Sequence, residues 1–166
     1  MITREELHAV LKDVFSESGF TKQGQQWARR TNELLWLVHL DRSPLGERYR
    51  LDIGIALLRR LEGAEPSREN DCPISVALEH LPLVAHVEVR SPRGVDDFRT
   101  AATVAFDLTV DMADDDRRHL LATVLGALVE YIQQTDSEAA LRERYDSGDL
   151  TSAGIRRDIR QILASG

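Results

Sequence analysis

The sequence predicts an α+β fold: a mostly antiparallel sheet of five or six strands, an N-terminal helix and a C-terminal group of about three helices. From Trp27 to Leu58, apolar and polar residues alternate, as they do in strands that bury one face. From Asp114 onward, apolar residues recur every three or four positions, which is the period of amphipathic helices. The length suits one domain, and we expect residues 1–166 to form it.

The N-terminal helix has sequence signals at both of its ends. Thr3 is the expected N-cap and Glu6 the reciprocal member of a capping box, while Ile2 and Leu7 have the spacing of a hydrophobic staple. Gly19 is the expected left-handed residue that ends the helix. The apolar stripe between these signals consists of Leu7, Val10, Leu11, Val14 and Phe15.

Three antiparallel strands are predicted in the region of the two tryptophans. The first covers residues 26–30, with Gly24 marking a bulge before it, and a short turn leads to the second strand over residues 34–41. Residues 42–47 contain a Pro and a Gly and are predicted to be a loop. The third strand then covers residues 49–57.

The alternation in the second and third strands predicts which side chains lie together. Trp36 is expected in the core, with every second residue of its strand. On the opposite, polar face, the same parity places His39 opposite Asp52, and Asp41 opposite Arg50. This face is the predicted ligand or partner site.

The middle of the chain has weaker patterns. Residues 59–71 are charged and predict an exposed loop, and residues 74–81 fit either a strand or a helix, of which we favour a short strand. Alternation predicts further strands at residues 84–90 and 104–110, with one or two helical turns over residues 96–102 between them.

The last part of the chain is predicted to be helical. Three aspartates, residues 114–116, lie where a long helix begins, and their charge stabilises the positive end of its dipole. The stripe of this helix is the longest in the chain and comprises Leu120, Leu121, Val124, Leu125, Leu128, Val129 and Ile132. Two shorter helices are expected over residues 137–145 and 152–163.

The charge is unevenly distributed along the chain. The formal net charge is −7, with ten basic against eight acidic residues in residues 1–60, and eleven against twenty in residues 61–166. Such a chain is a poor general binder of nucleic acid, although basic residues surround Trp27, and it suits a basic partner better. The single cysteine excludes an intrachain disulfide, and the lack of a signal segment or long apolar run predicts a cytoplasmic protein without membrane contact.

The sequence contains no strong catalytic motif. A nucleophile elbow, a phosphate-binding loop and a dinucleotide fingerprint are all missing, so no catalytic residue or cofactor is predicted. His39, Asp41 and Asp52 could together hold a divalent metal ion. We predict no metal, because the same residues form satisfactory pairs across the strands and no paired histidine or cysteine motif is present.

Three segments resemble a family of small bacterial domains of unknown function. They are Gly19-Phe20-x-Lys22-x-Gly24-x-x-Trp27, Leu40-Asp41-x-Ser43-x-x-Gly46-x-x-Tyr49-x-Leu51-Asp52-Ile53-Gly54-Ile55 and Cys72-Pro73-Ile74-Ser75. The resemblance covers residues 19–55 well and residues 3–150 loosely. The chain departs from the family pattern at Asp41, where Gln is expected, and at Asp52, where Asn is expected. The resemblance implies no reaction, but some members look like the immunity or accessory proteins that accompany bacterial toxins.

Together these features predict a non-enzymatic module that binds another protein. Such a module could neutralise a basic toxin through its acidic half, residues 61–166. The alternative is a small-ligand-binding or metal-dependent enzyme that uses the polar sheet face, at His39, Asp41, Arg50 and Asp52. A concave pocket would favour the enzyme, and a flat face with paired residues would favour the binding module. The sequence leaves open whether the protein is a monomer or a homodimer.

Overall fold

The computed structural model describes residues 1–83, 90–91, 94–95 and 98–165. The described helices are α1 (Arg4–Glu17), α2 (Phe98–Phe106), α3 (Asp114–Gln134), α4 (Glu138–Asp146) and α5 (Arg157–Ala164). The described strands are β1 (Thr21–Gln23), β2 (Gln26–Arg30), β3 (Leu34–Arg42), β4 (Tyr49–Leu57), β5 (Ile74–Ala77), β6 (Arg90–Ser91), β7 (Gly94–Val95) and β8 (Gly154–Ile155).

Six of these strands form one antiparallel sheet in the order β1-β2-β3-β4-β5-β8, and β6 pairs separately with β7. The α+β class is therefore confirmed. Sequence neighbours are spatial neighbours from β1 to β5. Short connections join β1 to β4 as antiparallel hairpins, whereas the long segment of residues 58–73 joins β4 to β5. The final strand, β8, comes from the C-terminal helical part and extends the sheet beside β5.

The start of the chain forms as its sequence predicts. The Glu6 amide donates to Thr3 Oγ1 at 3.2 Å, and the Thr3 amide donates to Glu6 Oε2 at 2.7 Å, which confirms the capping box. Gly19 follows the helix with a φ of +82°, in the left-handed region expected of it. Both Ile2 and Leu7 are buried.

The predicted strand pairing is also confirmed. His39 lies opposite Asp52, and Asp41 lies opposite Arg50. Trp36 is fully buried on the opposite face, where the main hydrophobic core packs the sheet against α1, α2, α3, α4 and α5. The Trp36 Nε1–H donates to the Thr135 carbonyl at 3.2 Å and so joins β3 to the end of α3.

The outer face is less polar than predicted. Leu35 and Leu37 alternate with the core residues of β3, yet both are buried, in a small second core with Ala28, Ala56 and Cys72. Residues 58–72, called the strap below, cover this part of the face. The strap is therefore not the fully exposed loop that its charged composition predicts, and only the half of the outer face near Asp41 is polar and open.

The prediction of a strand over residues 104–110 is wrong. Residues 98–106 form α2, and their buried positions follow a helical spacing: Phe98, Ala101, Ala102, Ala105 and Phe106. Of the alternating apolar residues, Val104 and Phe106 lie in the last turn of that helix, and Leu108 and Val110 lie in the connection after it. The predicted strand at residues 84–90 lies almost wholly outside the described residues.

Three smaller differences concern element boundaries. Residues 74–81 begin as the favoured strand, β5, but continue as a short 3-10 helix at Leu78–His80. The last helix begins at Arg157, because the preceding Gly154 and Ile155 pair with β5. Gly24 is not a bulge: it opens the two-residue turn of the β1-β2 hairpin with a φ of +61°, the sign that a type II′ turn requires at this position.

Candidate functional site

All four residues predicted for the site line one open depression of about 900 Å³ on the outer sheet face. His39 and Asp41 come from β3, and Arg50 and Asp52 come from β4. The hairpin turn at residues 23–26 forms one wall of the depression, and strap residues 67–70 form the other. The complete lining is Gln23, Gly24, Gln25, Gln26, His39, Asp41, Arg50, Asp52, Ser67, Arg68, Glu69 and Asn70.

Arg50 is held by both aspartates of this group. Its Nε lies 2.8 Å from Asp52 Oδ1 and its terminal nitrogen lies 3.1 Å from Asp52 Oδ2, which makes a two-bond pair. The contact with Asp41 is longer, at 3.7 Å. Hydrogen bonding to Asp52 is the main reason that the pKa of Arg50 is raised. Because half of the Arg50 side chain is exposed, solvent weakens these pairs, and we expect them to orient the guanidinium more than to stabilise the fold.

His39 occupies the middle of a row of facing residues across the sheet. Gln26 on β2 faces His39, and His39 faces Asp52 on β4. No hydrogen bond or ion pair joins the His39 side chain to another residue in the described part of the chain. Its ring nitrogens are therefore available to a group that enters the depression.

The strap is fixed to the sheet beside this row. Gln26, which is 7% exposed, donates its side-chain amide to the Ser67 carbonyl. A charged pair between Arg30 and Glu65 makes a second attachment, with an Arg30 nitrogen 2.6 Å from Glu65 Oε2. Within the strap, the Cys72 thiol donates to the Arg68 carbonyl at 3.6 Å.

Gly54 explains how the strap can lie so close to the sheet. A Cβ atom at this position of β4 would lie 2.5 Å from the Glu69 carbonyl oxygen and 2.7 Å from Cys72 Sγ. Such distances are shorter than real Cβ contacts, so any larger residue would push the strap away. The glycine in β4 therefore shapes the wall of the depression.

A second depression, of about 600 Å³, lies on the other side of the strap. Its lining includes the acidic residues Glu62, Glu65, Asp71 and Asp158, together with one basic residue, Arg156. Ser67 belongs to the linings of both depressions, so the two adjoin along the strap.

The linings of the two depressions carry a large share of the negative charge of the chain. The smaller depression has four acidic side chains against one basic, and the larger has Asp41, Asp52 and Glu69 against Arg50 and Arg68. Their sum is −4, or −3 when Arg30, the partner of Glu65, is counted; this is about half of the −7 of the whole chain. The face therefore attracts basic groups.

The chemistry available at the face is limited. Within the described ranges, no three histidine, cysteine, aspartate or glutamate side chains are placed to hold a metal ion. Burial raises the pKa of the Cys72 thiol to about 12, so that it stays protonated and is a poor nucleophile.

No helix that the structure describes is long and apolar enough to span a membrane.

Sequence reasoning found the floor of the larger depression but missed its walls. The residues at 23–26 and 67–70 lie far apart along the chain, and their polar character alone did not indicate a common site. One signal was present, since an isolated glycine inside a strand pattern, Gly54, often marks the close approach of another backbone segment.

Comparisons of the chain with models of protein families, with curated proteins and with solved structures found no match.

Proposed function

We propose that this chain is a non-enzymatic, cytoplasmic protein-binding module that takes a basic partner protein on its outer sheet face. The observation that carries the proposal is the concentration of acidic side chains along the two adjoining depressions. Opposite potentials steer partners together and select among them. The family resemblance implies a toxin as the partner that the chain neutralises, and the acidic charge of the face suits a basic one.

The geometry of the larger depression supports binding in preference to catalysis. It is wide and open, and its central charged group, Arg50, is already paired with Asp52. A catalytic site usually excludes water from the reacting groups. An open face lined with polar side chains is typical of the rim of a protein interface.

A charge reversal at the edge of the larger depression tests this proposal. The tagged protein and its Asp41→Lys variant would be used to purify partners from cells of the source organism. We expect a basic protein to copurify with the wild type and to be lost with Asp41→Lys. The control is Asp13→Lys on α1, which makes the same change of charge at an exposed position away from the strap. Equal capture by both variants would refute the proposal.

The concave shape of the larger depression supports one alternative, a site for a polar small molecule. Its volume of about 900 Å³ would admit such a ligand, and the free imidazole of His39 could hydrogen-bond to it. This alternative predicts that a metabolite extracted from the purified protein is lost in a His39→Ala variant. If the face binds a protein instead, the His39→Ala variant should yield the same amount of extracted metabolite as the wild type.

A further inference from the structure

We infer that the floor of the larger depression is a subsite for the ammonium group of a lysine, with Gln26, His39 and Asp41 as its three hydrogen-bond acceptors. The inference rests on the proposed function, because it names the group of the basic partner that the outer face recognises. Three observations carry it: a fixed acceptor atom on Gln26, an imidazole without a partner at His39, and the position of Asp41 beside them.

Gln26 presents a fixed hydrogen-bond acceptor to the depression. Its side chain is 7% exposed, and its amide nitrogen donates to the Ser67 carbonyl of the strap. Because a carbonyl can only accept, the amide nitrogen must face Ser67 and the amide oxygen is turned away from it. No described residue donates to that oxygen, and it remains accessible to solvent. The strap therefore orients a buried side chain whose free acceptor atom lines the depression.

His39 places an imidazole beside this oxygen. Gln26 and His39 face each other on β2 and β3, and side chains at such positions have Cβ atoms roughly 4.5–5.5 Å apart. The His39 side chain is half-buried and forms no hydrogen bond or ion pair with a described residue. A neutral imidazole has one acceptor nitrogen, so a group with several donors can bind both side chains at once.

Asp41 supplies the negative charge of the subsite. It follows His39 by two residues on the same face of β3, a separation of roughly 7 Å along the strand. Among the described residues, its carboxylate contacts only Arg50, at 3.7 Å, whereas Arg50 makes its short bonds with Asp52. Arg50 is thus used mainly to neutralise Asp52, and the Asp41 carboxylate keeps acceptor capacity for a group in the depression.

This set of acceptors favours an ammonium group over a guanidinium group. The three acceptors belong to different side chains around one space, and an ammonium group has three donors that rotate to meet them. A guanidinium group is a planar fork, which better fits the two oxygens of a single carboxylate. The recognised feature is therefore an exposed lysine of the basic partner.

Titration with a one-lysine peptide tests the subsite on the full chain. The probe is a capped pentapeptide with a single lysine between glycines, and the readout is a residue-resolved NMR titration at about 50 mM salt, where charge attraction is weakly screened. We expect saturable shift changes centred on residues 25–27 and 38–42. The absence of binding, or shift changes centred on another surface, would refute the subsite.

Two analogues of the peptide separate hydrogen bonding from charge attraction. Trimethylation of the lysine keeps the positive charge but removes all three donors, and replacement of the lysine by arginine keeps charge and donors but changes their geometry. We expect the dissociation constant to rise about tenfold with the trimethylated peptide and about threefold with the arginine peptide. If either analogue bound as tightly as the lysine peptide, the proposed set of acceptors would be wrong.

The same exchanges at exposed positions of the helices provide matched controls. His39→Phe removes the imidazole and Asp41→Asn removes the charge, whereas His119→Phe on α3 and Asp13→Asn on α1 make these exchanges away from the sheet. We expect the dissociation constant to rise about fivefold or more in each subsite variant and less than about twofold in each control. Equal effects within a pair would refute the inference. Because the Asp41 side chain is 50% exposed, Asp41→Asn keeps the test decisive should His39→Phe impair folding.

The partner experiment with Asp41→Lys distinguishes the two levels of the proposal. If that variant loses the basic partner but the wild type does not bind the lysine peptide, only the subsite is refuted. If partner capture is insensitive to Asp41→Lys, the proposed function is refuted, and the subsite with it.

Discussion

At the scale of single residues, the shape of the outer face depends on one glycine. In β4, Gly54 leaves room for the backbone at Glu69 and for the sulfur of Cys72, which lie where a Cβ atom would be. The strap can therefore lie on the sheet and separate the two depressions. A residue that makes no hydrogen bond through a side chain thus positions groups from two distant parts of the chain.

Gly54→Ala should destabilise the protein by about 1–3 kcal/mol, because either the strap or the strand must move to relieve the clash. The matched control is Gly126→Ala in α3, where a Cβ atom would meet nothing within 4 Å. That change should stabilise the protein by about 0.5–1 kcal/mol, since alanine favours a helix. Urea unfolding of both variants measures the difference, and a neutral Gly54→Ala would show that the strap does not pack as described.

The reactivity of Cys72 reports whether the strap is closed. At pH 8 a thiol with a pKa of about 12 is ionised to about one part in ten thousand, against about one part in ten at the ordinary value of 9.0. Alkylation by iodoacetamide at pH 8 should therefore be very slow in the native protein and fast in urea. Gly54→Ala should accelerate the native reaction, whereas Gly126→Ala should not. Rapid alkylation of the native wild type would contradict the packing of the strap.

Between elements, a buried arginine joins two helices. Arg117 of α3 is 1% exposed and donates to the carbonyls of Val104, Asp107 and Val110 at 2.8, 3.0 and 2.6 Å, at and just after the end of α2. Besides Arg117, the Val104 and Asp107 carbonyls accept only backbone bonds from the third residue along, at 3.3 and 3.2 Å, and a cation is favoured near the negative end of a helix. Burial lowers the pKa of Arg117, but the group keeps its charge because the value for arginine is so high.

Arg117→Ala should lower the free energy of unfolding by about 3 kcal/mol, because several partly buried carbonyls lose a charged donor. The neighbouring Arg118 provides the control, since its guanidinium is exposed and pairs with Glu6 and Asp115. Arg118→Ala should cost less than about 1 kcal/mol. Thermal or urea unfolding of the two variants gives the comparison, and equal losses would contradict the proposed role of Arg117.

Elements with an unambiguous period were predictable from the sequence. The hairpin of β3 and β4 has a clear period of two on both sides of its loop, over residues 38–41 and 49–53, so both its register and the pairs at His39 and Asp41 followed. The strand predicted at residues 104–110 failed because Phe106 belongs to the helical face that begins at Phe98, whereas Leu108 and Val110 lie in the connection after α2. Short alternations cannot distinguish the two periods, and tertiary packing decides between them.

Contacts between distant segments were not predictable in the same way. The charged composition of residues 59–71 indicated solvent exposure, and nothing local showed that this segment covers Leu35 and Leu37. The start of α5 was misplaced for a similar reason, since Gly154 and Ile155 complete the sheet only because β5 is beside them. The floor of the candidate site could thus be predicted, whereas its walls depend on tertiary structure.

For the whole molecule, the two faces of the sheet have different roles. The inner face carries the helices and most of the buried apolar side chains, and it accounts for the stability of the fold. The outer face has only a small apolar core beneath the strap, and acidic depressions lie on both sides of it. Stability and the proposed recognition are therefore assigned to opposite sides of one sheet.

Photo-crosslinking in cells of the source organism tests this assignment most directly. A photoreactive benzoylphenylalanine would replace the exposed Gln25 in the wall of the larger depression or, as the control, Asp13 on α1. We expect a basic protein to be crosslinked from position 25 and not from position 13. The absence of a protein adduct at position 25, or the same adduct at both positions, would contradict the assignment.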